Sequence, residues 1–246
     1  AQLVADELVT SMITLAERAS DGSKYFFMGT RQGNVKKTEI AKYKNTRASG
    51  IIAIGLNPDD VLEWVKTTTG QDRIMLVSES GQAIRFAETD VRPIGRGAAG
   101  VRGMRLRRGD RVMAMDTVTE DSQELLVVLG KGFGKRTKVS LFGVQKRGGF
   151  GLRAAKVTSK TGPVIGAQLI SNTDGELVMI SQLGQTIRMP LKSVKRLGRD
   201  TQGVTLMRFR QSGDSVASMT VFIEKETVDG GQANDRVSET TFKKTA

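Results

Sequence analysis

Apolar residues in this chain come in short compact runs, not in helical stripes. Four runs define the pattern: Tyr25–Met28, Ile74–Val77, Leu125–Leu129 and Leu177–Ile180. Each lasts four or five residues and favours Val, Ile, Leu, Met and Phe, which predicts a buried strand too short to be a helix. A glycine turn follows each run, at Gly33, Gly81, Gly132 and Gly184. Glycine supplies positive φ there at low steric cost, so each run and the strand after it read as a hairpin. The second strand carries basic residues: Lys36 and Lys37, Arg85, Lys135 and Arg136, and Arg188. An opening strand is predicted before the hairpin, as at Asp110–Met115 and Asp214–Met219. A polar, Gly-rich loop and an apolar closing strand, such as Val101–Leu106 or Val204–Phe209, are predicted after it.

This order repeats. Val9, Val61, Val112, Val164 and Val216 recur every 51 or 52 residues, and the turn glycines recur at 48, 51 and 52. A basic residue stands three or four positions before a glycine in every period: Arg47, Arg96, Arg147 and Arg199 before Gly50, Gly100, Gly151 and Gly203. Four short strands per period of about 50 residues predict an all-β fold, a β-propeller or β-pinwheel of four-stranded blades. The expected division is one propeller domain over 1–223 with units at about 8–58, 59–108, 109–161 and 162–212. A closing strand and a flexible polar tail, 224–246, come after it. The 28 glycines exclude a helical repeat.

Charge then narrows the partner. Lys and Arg number 38 against 26 Asp and Glu, a net charge of +12, which points first to nucleic acid and second to an anionic membrane. The absence of Cys and His removes disulfides, Cys-containing zinc sites and imidazole or thiol catalysis. No metal site is expected. Asp6, Glu7, Glu17 and Arg18 interrupt any signal sequence, and no run approaches membrane-spanning length. The chain does not begin with Met and is expected to be a piece of a longer one.

The heptapeptide Gln145-Lys146-Arg147-Gly148-Gly149-Phe150-Gly151 resembles the gyrase box, Gln-Arg-Arg-Gly-Gly-Lys/Arg-Gly, of the bacterial DNA gyrase A subunits. Gly132-Phe133-Gly134-Lys135-Arg136-Thr137 is similar to the Gly-Tyr-Gly-Lys-Arg-Thr strand of that family. The segments Asp90–Arg96, Gly198–Val204 and Thr30–Thr38 resemble its other loops and hairpins. The likeness covers 1–223. It implies a C-terminal β-propeller that wraps or bends duplex DNA on a basic outer rim for negative supercoiling, with no catalytic residue of its own. It also implies partners in an A2B2 topoisomerase, namely the gyrase B subunit plus the rest of the gyrase A subunit. No membrane is implied, and the expected place is cytoplasmic and nucleoid-associated. ATP and Mg belong elsewhere in that holoenzyme, and no cofactor is expected in this chain. The family's principal box lies in the first of about six blades. The heptapeptide here lies in the third unit, with Phe150 in a basic position, so the first two blades are expected to be missing. The topoisomerase IV A subunit, with a similar propeller, is the alternative within the class.

Fourteen basic residues are candidates for DNA phosphates: Lys36, Lys37, Arg47, Arg85, Arg96, Arg102, Arg105, Lys135, Arg136, Lys146, Arg147, Arg188, Arg196 and Arg199. A cationic band can neutralise phosphates without reading sequence, and Gly148, Gly149 and Gly151 would let the backbone approach them. The competing reading of each arginine is a loop brace, and of each glycine a turn. Trp64 reads as core, since Met12, Met115, Ala167 and Met219 share its position. Tyr25 and Tyr43 lie inside the repeats and no phosphate-binding Walker pattern is present. Two other classes remain. A protein-interaction scaffold would show apolar or mixed-charge loop tips. An enzyme would gather carboxylates, for which Asp60, Asp110 and Asp214 recur, although Asp is common where a turn opens a strand.

Overall fold

The structure, a computed structural model, describes Val9 and residues 22–45 and 50–223. The opening strand expected around Val9, together with Arg47 and the tail, lies outside the described residues, apart from Val9 itself. The strands in chain order are β1 (Tyr25–Thr30), β2 (Asn34–Glu39), β3 (Leu62–Thr68), β4 (Arg73–Ser78), β5 (Gln82–Ala87), β6 (Val101–Arg102), β7 (Val112–Val118) and β8 (Glu124–Leu129). They continue as β9 (Phe133–Lys138), β10 (Leu152–Arg153), β11 (Val164–Ile170), β12 (Gly175–Ser181), β13 (Thr186–Pro190), β14 (Val204–Thr205) and β15 (Val216–Ile223). Short 3-10 turns follow β2, β5, β9 and β13.

The described residues divide into two compact units, one within Ala1–Thr119 plus Phe142–Leu152, the other within Glu120–Leu141 plus Arg153–Ala246. In the first, two antiparallel sheets run β3-β1-β2-β6 and β5-β4-β7, the second joined beside β5 by Leu152 of β10. In the second they run β11-β8-β9-β14 and β13-β12-β15. The four expected hairpins are the sheet centres: β1/β2, β4/β5, β8/β9 and β12/β13. The flanking strands come from the following period. β3 pairs with β1 and β6 with β2, although both stand after the next repeat has begun. A blade is therefore not one period of sequence, because a four-stranded sheet borrows two strands from the period after it.

The closing strands are also shorter than the apolar runs predicted. Gly103 and Met104 both donate their N–H to the Gly33 carbonyl, at 2.9 and 3.0 Å, and Leu206 and Met207 repeat this on Gly132 at 2.8 and 3.0 Å. This fork turns the chain off the ladder after two residues. It sends the Met104 and Met207 side chains, each 1% exposed, into the cores.

The first unit's core joins Phe27, Val35, Trp64, Leu76, Ile84, Phe86, Met104 and Met115. The expected burial of Trp64 is found there. The second unit's core joins Leu126, Val128, Leu177, Met179, Leu191, Met207 and Val221. The recurring aspartates latch the hairpin turns. Asp60 Oδ1 accepts the Gln32 N–H at 2.9 Å, Asp110 Oδ1 the Ser80 N–H at 3.0 Å, and Asp214 Oδ1 the Leu183 N–H at 3.1 Å. Each also accepts the N–H of the residue that follows it. Donors at a turn explain these carboxylates fully.

Candidate nucleic-acid interface

The fourteen candidate cations separate by burial. Lys36, Lys37, Arg85, Lys135 and Arg136 are buried, between 0 and 7% exposed, and this corrects the expectation that they face a phosphate. Each spends its charge on loop carbonyls. Lys36 Nζ donates to the Ala53 carbonyl at 2.8 Å and to the Arg96 carbonyl. Lys37 Nζ donates to the Glu88 carbonyl at 3.0 Å and lies 5.0 Å from the Tyr25 ring centre. Arg85 Nη1 reaches the Phe142 carbonyl at 3.4 Å. Lys135 Nζ holds the Gly198 and Arg199 carbonyls and Thr201 Oγ1 at 2.6, 2.5 and 3.0 Å. Arg136 Nε donates to the Val194 carbonyl and Nη1 to Glu124, both at 2.7 Å. Burial brings Lys36 down to about 8, helped by Arg96. It brings Lys135 to about 8 as well, with Asp200 opposing and Arg199 adding. Lys37 is lowered by burial against the pull of Glu88.

A backbone contact explains the burial. Lys37, Arg85 and Arg136 each bridge in parallel to a loop of the following period, at Pro93, Val144 and Arg196. Arg188 holds the same position in the last hairpin. No such bridge reaches it among the described residues, so its side chain is 69% exposed and pairs with Glu176.

The remaining candidates face outward or lie half-buried in the loops. In the first unit, Arg102, Arg105 and Lys146 are exposed, and Arg96 and Arg147 are half-buried. The box-like heptapeptide docks on this unit's own strands. Gln145 N donates to the Arg85 carbonyl at 2.7 Å, Gly148 N to Gly103 at 2.6 Å, and Arg105 N to the Gly149 carbonyl at 2.8 Å. Gly151, at φ 78°, passes so close to β5 that a Cβ would stand 2.3 Å from the Ala83 carbonyl. Arg147 donates to the Asp90 and Arg102 carbonyls, both at 3.0 Å. It is thus a brace with its charge near the surface. Phe150 is 43% exposed and lies under Arg105, the guanidinium 5.0 Å from the ring centre.

In the second unit Arg196 is exposed and pairs with Glu124. Arg199 Nη1 reaches the Arg153 carbonyl at 3.3 Å, the same backward contact that Arg147 makes with Arg102. Arg153 itself meets Asp200 at 2.8 Å and holds that carboxyl below its ordinary range. Sequence reasoning missed several exposed cations: Arg92, Arg107 and Arg108 in the first unit, Lys156, Lys192 and Arg208 in the second. Their position in the loops that flank the closing strands was the available signal. Among the described residues no group of three or more acids could hold a metal ion, and no helix is long and apolar enough to cross a membrane.

These features define an all-β repeat protein with strand-sharing antiparallel sheets and arginine-rich loops. The chain belongs to the family described as the DNA gyrase C-terminal domain, beta-propeller, whose sequence model matches residues 24–69, 72–119, 124–171 and 175–222. Each matched segment holds one hairpin and the opening strand that pairs with it, and the last three also hold the closing strand of the preceding sheet. Over 230 residues the chain is 42% identical to the DNA gyrase A subunit of Lawsonia intracellularis, covering 93% of this chain and 27% of that one. Over 238 residues it is 41% identical to the DNA gyrase A subunit of Clostridium acetobutylicum, covering 97% and 28%. It thus spans about a quarter of the length of these curated relatives. Among solved structures, that of a DNA gyrase A C-terminal domain matches with TM-score 0.71 and 29% identity over 82% of this chain and 67% of that one. A C-terminal domain of DNA topoisomerase IV matches with TM-score 0.75 and 26% identity over 81% and 62%. The β-propeller expectation holds.

Proposed function

We propose that this chain binds duplex DNA without sequence preference and bends it, as the C-terminal domain of a gyrase A subunit working toward negative supercoiling. The observation that carries this reading is the box-like loop, braced on β5 and on Gly103 and Arg105 with Arg102, Arg105 and Lys146 left exposed beside it. Exposed cations on a braced backbone suit phosphate contact, where charge and position matter and base edges do not. Bending 20–30 bp costs on the order of 1–6 kcal/mol, which several phosphate contacts can offset. Breakage and resealing of DNA, with ATP and Mg, belong to the B subunit and to the remainder of the A subunit in an A2B2 enzyme of the bacterial cytoplasm. The recurring aspartates, committed to turns, do not support a catalytic role for this chain. The second reading, the equivalent domain of topoisomerase IV, has the higher TM-score in its support, and the Lawsonia and Clostridium sequences favour gyrase.

The test is topological. Plasmid is relaxed by a nicking-closing enzyme in the presence of increasing amounts of the chain, at low and high salt. A salt-sensitive shift in linking number supports wrapping with a fixed hand. Binding without a shift reduces the role to holding DNA, and no binding removes it.

A further inference from the structure

The second strands of the four hairpins carry an alternating pair of residue types at one position: Lys36, Ile84, Lys135 and Ile187. The fold accepts isoleucine there. Lysine is the costlier choice, since a buried ammonium loses its hydration and must be repaid by hydrogen bonds. Lys36 and Lys135 are both 0% exposed. Lys135 uses all three of its donors on Gly198, Arg199 and Thr201. Above Ile84 the box-like loop has no ammonium and is held by Arg147 instead.

We infer that Lys36 and Lys135 are positioning residues for DNA: each buried ammonium draws the carbonyls of the loop above it inward and thereby turns the amide face of that loop toward phosphate. The inference rests on the DNA-binding reading. Its geometric basis is peptide planarity. No peptide bond described is cis, and in a trans peptide the C=O and N–H point opposite ways. With the Gly198 and Arg199 carbonyls turned onto Lys135, the N–H groups of Arg199 and Asp200 face away from it. With the Arg96 carbonyl turned onto Lys36, the Gly97 N–H does the same. A backbone N–H turned outward in this way can donate to a phosphate oxygen.

The consequence is a proton linkage. Arg96 faces Lys36, with the Tyr43 hydroxyl on the same Ala53 carbonyl. Arg199 and Asp200 face Lys135. Both ammonium groups titrate at about 8. The chain has no His or Cys, whose side chains ordinarily titrate nearest that range, and Lys37 is the other lysine that burial lowers. Phosphate bound to the loops favours the ammonium form, so DNA binding is accompanied by protonation of Lys36 and Lys135 near pH 8, and affinity falls as pH rises through it. Fold stability moves the other way. The folded pKa lies below the ordinary 10.5, the unfolded chain binds more protons between the two values, and stability from these groups rises with pH across that window.

The experiment compares the chain with its Lys36→Ile/Lys135→Ile variant, which copies the residue of the other two hairpins. Calorimetric titration with a 30-base-pair duplex at pH 8, in two buffers of different ionisation enthalpy, reads proton uptake. Two half-titrated groups give an uptake of about one proton, lost in the variant together with several-fold in affinity. No uptake in the unmodified chain, or equal uptake in both, overturns the inference. Amide exchange without DNA supplies the second arm. Protection at Gly55 and Ala98, and at Lys156 and Leu197, whose N–H groups bond within or onto the two loops, is expected to fall through pH 8 in the unmodified chain and to be low throughout in the variant, whose melting temperature is not lowered. Unchanged loop protection overturns the inference even if the chain binds no DNA, whereas failure of binding alone counts against the functional reading.

Discussion

Phe150 lies across the guanidinium of Arg105 at the surface of the box-like loop. A cation–π contact at an exposed site contributes about 0.5–1 kcal/mol, enough to restrain the arginine and too little to withhold it from a phosphate. Replacing Phe150 with Arg is expected to add a phosphate contact and steepen the logarithmic salt dependence of DNA affinity by about 0.9. Arg105→Ala is expected to flatten it by the same amount. Binding isotherms across a salt series check both, and two unchanged slopes would remove this loop from the interface. A second residue-scale test concerns Asp110, whose carboxylate accepts from Ser80 N, Ser80 Oγ and Arg111 N at 3.0, 2.6 and 2.9 Å. Asp110→Ala leaves donors at the turn without a partner and is expected to cost about 1–3 kcal/mol, read by denaturant unfolding. Arginine and lysine at these positions look alike in sequence whether they face water or a carbonyl. Neighbouring strand residues point to opposite faces, so a burial of both Lys36 and Lys37 requires that β2 be covered on both sides, and only the assembled loops show that cover. The usual exposure of lysine gave the opposite expectation.

Elements set by local sequence were readable, and elements set by distant partners were not. The hairpins rest on a compact apolar run and a turn glycine a few residues on, so their positions came out within a residue or two. The closing strands rest on which hairpin receives them. Val101–Leu106 has the composition of a six-residue strand, yet the double donation from Gly103 and Met104 to Gly33 ends the ladder at Arg102. The closing strands also need their leading glycine. Gly151→Ala would press a Cβ toward the Ala83 carbonyl at positive φ and is expected to cost more than about 1 kcal/mol, with faster amide exchange at Gly148 and Arg105. Gly143→Ala, with open space around the position, is expected to stay within about 0.5 kcal/mol. Equal losses at the two sites would show that close approach at Gly151 is not what holds the loop.

At the scale of the molecule, strand sharing makes neighbouring periods depend on each other. β12 pairs with β13 on one side and with β15 on the other. A chain ended at Gly213 keeps the β12/β13 hairpin and loses β15. The hairpin that remains has two strands and loses the core contacts of Val216 and Val221, so such a chain is expected to lose amide protection across Gly175–Pro190, none of which has been removed. Retained protection there would mean the hairpin stands without its borrowed strand. The sharing also bears on descent. Because the two halves of a period serve different sheets, the piece that can be duplicated or lost without harm is any stretch one period long, 51 or 52 residues, wherever its ends happen to fall. A lineage of such chains can change its number of sheets by breaking at almost any phase of the repeat, as long as both breaks share that phase, while loss of a single intact sheet would tear two.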